Sequence, residues 1–469
     1  MKNNIIKNTI ITALILLSLF FLGFKIWLSR YFGEVDLELL LININFGLNG
    51  LLDADEELIQ KFFLFTILIP IFLTIFIYFL FIKRNFFNNK IIFYLSLFTL
   101  SFLYFLSEIN IFKSSFNTQE SLFIEENYID PKLKKTNFEN KKNLIIIYLE
   151  SFEYDYLTND VLNKDIINKI NFNRDFMIDL PNFHETKFND YTIGAIVSSQ
   201  CGIPQKPVGI FNTRKTQNNF KESFGMKKFL PNAICLGDIL KHHQYKNIFL
   251  NSGDIKFQQM DKFFKEHGYD ELLEKKFFSE KKFSKNSWSG NVNDSILFDK
   301  AIDLVNNHID RKEFFNITIL TTDTHYPGFI DPQCPFKDLK DETINISIYC
   351  TLNTLSNFIE KTYLKYPEKI SIIMIGDHLN PKNQMNNNSD RFIFGKILSK
   401  GNYNIKRDKM THYDLYPSFL QLINIDYGDS LGLGKSLFSE IDNVEYDQFF
   451  KTLNINIINK SKFYDKFWK

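Results

Sequence analysis

Apolar residues fall along this chain in two distinct patterns. Near the start, three windows carry no charged residue: Asn8 to Phe24, Phe62 to Ile82 and Ile91 to Ser107. A bilayer core takes about 20 apolar residues in a helix, so the second window spans outright. The other two reach that length once Lys25 and Lys90 snorkel to the interface. The pattern predicts a membrane anchor over residues 1–107, with transmembrane helices at about 8–28, 62–82 and 91–107. No small-residue cleavage site follows the first window, so it reads as an anchor rather than a signal peptide.

Lys2, Lys7 and the short loop from Lys83 to Lys90 place those ends on the cytoplasmic side. The loop between the first two spans is acidic (Glu34, Asp36, Glu38, Asp53, Asp55, Glu56, Glu57), as expected on the outer side. Within it, Leu37 to Leu52 is apolar but broken by Glu38, three Asn and two Gly, and is expected to lie in the interface plane; a fourth span there would reverse the placement of the large domain. Everything after Glu108 is then outside. Residues 108–142 read as a linker.

From Asn143 the pattern changes to short apolar runs separated by helix-length amphipathic stretches. The runs are Leu144 to Leu149, Asn247 to Leu250, Phe314 to Leu320, Ile370 to Ile375 and Phe392 to Phe394. Short Ile-rich runs are what strands buried on both faces look like. They predict an α/β sandwich over residues 143–440, with a C-terminal tail at 441–469 that mixes aromatics with Lys. In such a sheet, chemistry collects past the carboxyl ends of the strands.

Charge and cysteine content narrow the class. The 55 Lys and Arg against 54 Asp and Glu leave a net charge of +1, which removes the electrostatic basis for a dedicated nucleic-acid binder. All four cysteines follow the predicted spans. An even number in an oxidising compartment favours two bridges, most simply Cys201 with Cys235 and Cys334 with Cys350, over four unpaired buried thiols. No C-x-x-C occurs, so a thiolate zinc site has no support.

Two strand ends carry candidate chemistry. The run ending at Leu149 passes straight into Glu150, and the run ending at Ile375 passes into Gly376-Asp377-His378. A carboxylate beside an Asp-His pair supplies oxygen and imidazole donors suited to a divalent metal. Between them lies Asn189-Asp-Tyr-Thr192, a hydroxyl where a helix is expected to begin.

The order Glu150, Thr192, Asp377-His378 resembles the alkaline phosphatase and sulfatase superfamily, and within it the membrane-anchored phosphoglycerol transferases and lipoteichoic acid synthases. The resemblance covers roughly residues 141 to 440 and rests on six stretches in family order. These are Asn143-Leu-Ile-Ile-Ile-Tyr-Leu-Glu-Ser-Phe-Glu153, Tyr191-Thr-Ile-Gly-Ala-Ile-Val-Ser-Ser-Gln-Cys-Gly-Ile-Pro204, Phe229-Leu-Pro-Asn-Ala-Ile-Cys-Leu-Gly-Asp-Ile-Leu240, His267-Gly-Tyr-Asp270, Thr322-Asp-Thr-His-Tyr-Pro327 and Gly432-Leu-Gly-Lys-Ser-Leu437. It implies a central mixed sheet with helices on both faces. It also implies Thr192 as nucleophile, Glu150, Thr192, Asp377 and His378 as ligands of one divalent metal (Mn²⁺ or Mg²⁺, with Zn²⁺ possible), and His325 on the phosphoryl oxygens.

Further implications concern partners: a phospholipid donor such as phosphatidylglycerol, a glycan acceptor, and a multi-pass location in a bacterial inner (plasma) membrane with the catalytic domain on the periplasmic or extracellular side. Two departures bear on specificity. The sulfatase signature C-x-P-x-R is not matched by Cys201-Gly-Ile-Pro204, which disfavours sulfate ester hydrolysis. The Trp and Arg that hold glycerol phosphate in lipoteichoic acid synthases are absent from residues 253–264, leaving Lys256 to supply charge. Asp294 falls where related enzymes keep substrate-contacting acids, and His412 either reaches a second metal or supports the helix that follows. A phosphoethanolamine transferase and a catalytically dead binding protein are the alternative readings.

Overall fold

The computed structural model describes residues 2–32, 56–82, 91–108, 119–133, 140–158, 162–170, 172, 175–206, 228–278, 284, 287, 288, 292–380 and 391–469. The chain divides into two units, Met1–Asn117 with Pro207–Gln217, and Thr118–Lys206 with Asn218–Lys469. The interfacial segment expected at 37–52 and the basic loop 83–90 lie outside the described residues.

In the first unit, helix α1 (Lys2–Phe32) packs on helix α2 (Ile91–Glu108) and on the helical run between them that starts at Glu56. Ile5–Arg30 and Ile59–Leu80 are long and apolar enough to cross a membrane, and the third apolar helix, Ile91–Ser107, is shorter. Only 17% of the residues in an 18-residue segment of each is buried, less than the core helix of a globular domain would show. Their hydroxyls turn back onto their own helix, as a water-free surrounding demands: Ser18 donates to the Leu14 carbonyl at 2.7 Å and Thr66 to that of Phe62 at 2.7 Å. Aromatic rings fill the contact, with Phe21 on Phe102 at 4.9 Å and Trp27 on Phe62 at 5.0 Å. Gly23 lets the backbones close up, because a Cβ there would meet the Phe65 carbonyl at 2.0 Å.

The second unit is built on a seven-stranded mixed sheet in the order β2-β7-β6-β1-β5-β3-β4. The strands are β1 (Asn143–Leu149), β2 (Met177–Asp179), β3 (Lys246–Asn251), β4 (Glu271–Leu273), β5 (Phe315–Leu320), β6 (Ile370–Gly376) and β7 (Gly395–Leu398). The central strands are parallel, and β7 runs antiparallel to β6. Every residue of β1, β5 and β6 is buried because both faces are covered. Successive side chains alternate between those faces. Ile145, Ile147 and Leu149 join the core under α4 (Asp294–Arg311) and α5 (Thr343–Lys361). Tyr148 points the other way, its phenol 2.6 Å from Ser199 of α3 (Thr192–Cys201). Ser371 of β6 bonds the Leu422 carbonyl at the end of α6 (His412–Leu422) on that same side.

The four longer runs predicted as strands form β1, β3, β5 and β6. The fifth is displaced: Phe392-Ile-Phe394 precedes β7, which starts at Gly395. The sheet takes Gly395 here because β2 crosses so closely that a Cβ would lie 2.8 Å from that of Leu180. Lys396 within β7 is neutralised by Asp179 of β2. The apolar Phe-Ile-Phe triplet packs just before the ladder, where Ile393 bridges to Glu153 and Phe183. β2 and β4, three residues each, went unpredicted because so short an edge carries no periodicity.

Residues 119–133 belong to the second unit, within which Glu120 bridges to Lys460 and Ile129 to Gly432. Helix α7 (Asn443–Asn456) is joined to the body by the Tyr446 phenol donating to Asp414. Both expected disulfides form, Cys201–Cys235 and Cys334–Cys350. The second closes a separation of 16 residues, for which chain entropy contributes about 3 kcal/mol. Replacing Cys334 and Cys350 together by Ser is expected to lower stability by about that amount, read as a fall in the thermal midpoint of the purified protein. An unchanged midpoint would contradict the constraint.

Candidate active site

The site grows out of one pairing. β1 and β6 run parallel with Leu149 opposite Gly376, so the residues leaving them, Glu150 and Asp377-His378, emerge side by side. One ligand atom from each of Glu150, Asp377 and His378 lies within 4.8 Å of the others, and all three residues are buried. His378 Nε2 stands 3.5 Å from Glu150 Oε1 and 3.5 Å from Asp377 Oδ2.

The turn after β1 locks this geometry. The Ser151 backbone is left-handed (φ 50°), which turns its N–H to donate to Asp377 Oδ1 at 2.8 Å. The His378 N–H donates to the same oxygen at 2.8 Å. Asp377 Oδ2 is left buried with no hydrogen-bond partner among the described residues. Burial, reinforced by the Glu150 carboxylate, pushes Asp377 up to about 7. Burial works against the charged form of His378, but Asp377 and Glu150 outweigh it and raise the imidazole to about 9.

β5, the other neighbour of β1, contributes the next segment. The Glu150 N–H donates to Thr321 Oγ1 at 3.1 Å, and Thr324 Oγ1 donates to the Glu150 carbonyl at 2.6 Å. Two buried threonines thus clamp the peptide of a candidate ligand. The same loop carries His325, whose Nδ1 lies 3.0 Å from the Tyr326 carbonyl and whose ring stacks on Trp288 at 5.1 Å. Trp288 in turn meets Phe257 edge-on at 5.5 Å. An aromatic side chain therefore does stand beside the segment of Lys256, delivered from a distant part of the chain. Lys256 itself is exposed in the turn between β3 and the helix Met260–Glu266.

Asp294 is buried at the start of α4. Its carboxylate oxygens accept from the Thr322 N–H at 2.9 Å and the Asp323 N–H at 3.1 Å. Asp323 returns the arrangement by accepting from the Asp294 N–H at 2.8 Å. This reciprocal latch holds the His325 loop to the start of α4. His412 opens α6, fully buried, with Nε2 donating to the Gly376 carbonyl at 3.1 Å. Burial drives its pKa down to about 3, so it is neutral and props the end of β6 just ahead of Asp377.

Thr192 is the first residue of α3 and is buried. Ahead of it, Glu185 accepts from the Leu379 N–H at 2.7 Å, and burial with the nearby Asp190 raises this carboxyl to about 8. Neither Glu185 nor Asp190 carries a local sequence signal. A second donor cluster, Cys235, Asp238 and His267, is structural: the sulfur is in a disulfide, and the imidazole is bonded to Asp238 at 3.0 Å and to the Phe229 carbonyl at 3.0 Å.

The family described as Sulfatase matches residues 142–425, which takes in every one of these groups. The chain belongs to the sulfatase family. Phosphoglycerol transferase I of Escherichia coli (strain K12) is 31% identical over 321 residues, covering 65% of this chain and 40% of that protein. The counterpart from Escherichia coli O6:K15:H31 (strain 536 / UPEC) matches with the same identity and coverage. The chain thus spans 40% of the length of these curated relatives. Among solved structures, a protein in the alkaline phosphatase superfamily from Vibrio parahaemolyticus shares the fold, with a TM-score of 0.51 at 18% identity over 68% of this chain and 78% of that one. The lipoteichoic acid synthase LtaP from Listeria monocytogenes gives a TM-score of 0.48 at 20% identity, covering 63% and 75%.

The sulfatase family implies a divalent metal, and this donor set fits one. Two carboxylates and an imidazole converge in a buried space, and Asp377 presents an oxygen that has no hydrogen-bond partner among the described residues. Two outcomes are expected. Metal capture must displace the protons of Asp377 and His378, so Mn²⁺ affinity by titration calorimetry should rise about tenfold per pH unit toward about 9, and more steeply below about 7. A flat profile would contradict this ligand set. Thr324→Val removes the donor to the Glu150 carbonyl and is expected to weaken Mn²⁺ binding by about 10–100-fold, with wild-type affinity contradicting the clamp.

Proposed function

We propose that this chain is a metal-dependent transferase that moves a phosphoglycerol group from phosphatidylglycerol, through a Thr192-linked intermediate, to an extracytoplasmic glycan. The observation that carries the reading is the convergence of Glu150, Asp377 and His378 on adjacent strand ends. It is supported by the likeness to phosphoglycerol transferase I.

In this mechanism Glu150, Asp377, His378 and the Thr192 oxygen would hold one divalent cation. When bound, it would favour the Thr192 alkoxide and offset charge on the phosphoryl group. An oxygen-rich donor set suits Mn²⁺ or Mg²⁺, and the imidazole also admits Zn²⁺. Thr192 attacks phosphorus in line. The Thr192 O–P bond forms as the bond to the diacylglycerol oxygen breaks, and diacylglycerol leaves with a proton. A glycan hydroxyl then attacks the same phosphorus, and Thr192 recovers its hydroxyl. His325, held against Trp288, contacts the phosphoryl oxygens, and Lys256 adds positive charge for an anionic donor. Asp294 takes the part of holding the His325 loop through the Thr322 and Asp323 amides.

The reading includes three spans and a catalytic domain outside the membrane. Anchoring in the donor's own bilayer confines the search to two dimensions and raises the effective lipid concentration. Intact and peptide mass spectrometry after exposure to phosphatidylglycerol is expected to find glycerophosphate on the peptide bearing Thr192. Thr192→Ala should abolish the adduct and cut turnover by about a thousandfold or more. An adduct formed only from phosphatidylethanolamine would replace the donor, and full turnover by Thr192→Ala would overturn the mechanism.

A further inference from the structure

Helix α3 begins without the local cap its position calls for. The first N–H groups of a helix need partners, normally an Ser, Thr, Asp or Asn oxygen at the residue before it. Here that residue is Tyr191, which makes no side-chain cap bond; its phenol donates instead to the Gln205 carbonyl. The Ile193 N–H, one residue beyond Thr192, is satisfied from another part of the chain, by Gln258 Oε1 at 2.9 Å.

Gln258 reaches that place at a conformational cost. Gln258 (φ 51°, ψ 19°) and Gln259 (φ 57°, ψ 31°) are both left-handed, a region that side chains other than Gly, Asn and Asp seldom enter. Two such residues in succession persist only where the surroundings hold them. On the C-terminal side, the buried Met260, Phe263 and Phe264 anchor the helix Met260–Glu266. On the other, the buried Gln258 amide is tied to α3. A glycine would adopt the backbone freely but could not make the bond.

The chemistry of the cap matters as much as its presence. An Asp or Glu oxygen would serve an N–H well, and helix N-termini favour carboxylates. Beside Thr192, however, a carboxylate would add negative charge where an anionic phosphodiester has to approach. A glutamine amide offers the same acceptor oxygen without the charge. We infer that Gln258 is a positioning residue for Thr192, a neutral cap borrowed from a strained turn that fixes the first turn of α3 while adding no negative charge where the phosphodiester approaches. The inference rests on Thr192 as the nucleophile.

The test uses the full chain in phosphatidylglycerol proteoliposomes, comparing wild type, Gln258→Glu, Gln258→Gly and Thr192→Ala for thermal midpoint and for the rate of adduct formation. Gln258→Glu keeps the acceptor, so its midpoint is expected to match or exceed wild type while adduct formation slows about tenfold or more. Gln258→Gly relieves the strained backbone but loses the cap, so it too should stay folded and slow by a similar factor. A purely structural glutamine would leave the Glu variant at the wild-type rate. Wild-type rates in both Gln258 variants, with Thr192→Ala inactive, would overturn the inference and leave the reaction standing. An active Thr192→Ala would instead remove the reaction on which it rests.

Discussion

The parallel pairing of β1 with β6 is the constraint from which the site follows. Because Leu149 lies opposite Gly376, Glu150 and Asp377 leave the sheet together and are pressed into the same buried space with His378. Among the described residues, hydrogen bonds satisfy one oxygen of Asp377 twice and the other not at all. Carboxylates kept from water and set beside one another favour either a proton or a cation between them. Much of the surrounding structure serves to hold this unfavourable grouping in place: the Thr321 and Thr324 clamp, the His412 prop under Gly376 and the left-handed Ser151 turn.

A second layer of support reaches the substrate side. The loop from Thr321 to His325 touches the Glu150 peptide through Thr321 and Thr324, and between them Asp294 latches it through the Thr322 and Asp323 amides. A displacement of that loop therefore moves a candidate metal ligand and a candidate phosphoryl contact together. α3 is supported from beneath, where Tyr148 of β1 meets Ser199. Its C-terminal residue, Cys201, is bridged to Cys235. The helix of the candidate nucleophile is thus fixed to the same strand that presents Glu150.

The parts of this arrangement legible in the sequence were those with a local signature. Ile-rich runs announced β1, β5 and β6, and the acids that follow them pointed to the strand ends where they meet. The disulfides were legible because all four cysteines lie beyond the spans and pair with near neighbours. What stayed hidden depends on contacts between distant segments. Nothing in Phe257-Gln-Gln259 signals a left-handed turn reaching α3, since neither glutamine is a usual turn residue. Asp294, expected from the sequence to contact substrate, shows its two backbone partners only in the fold. Trp288 and Phe257 meet only through the fold. The strand expected at Phe392 to Phe394 failed because apolar content outweighed Gly395, the residue that close packing against Leu180 requires.

Anomalous diffraction from crystals of the protein grown with Mn²⁺ addresses the central claim most directly. The account predicts one strong peak about 2.0–2.4 Å from a Glu150 oxygen, an Asp377 oxygen, a His378 nitrogen and Thr192 Oγ1. A peak confined to other groups, or one that includes the three strand-end residues but leaves Thr192 beyond coordinating distance, would contradict it.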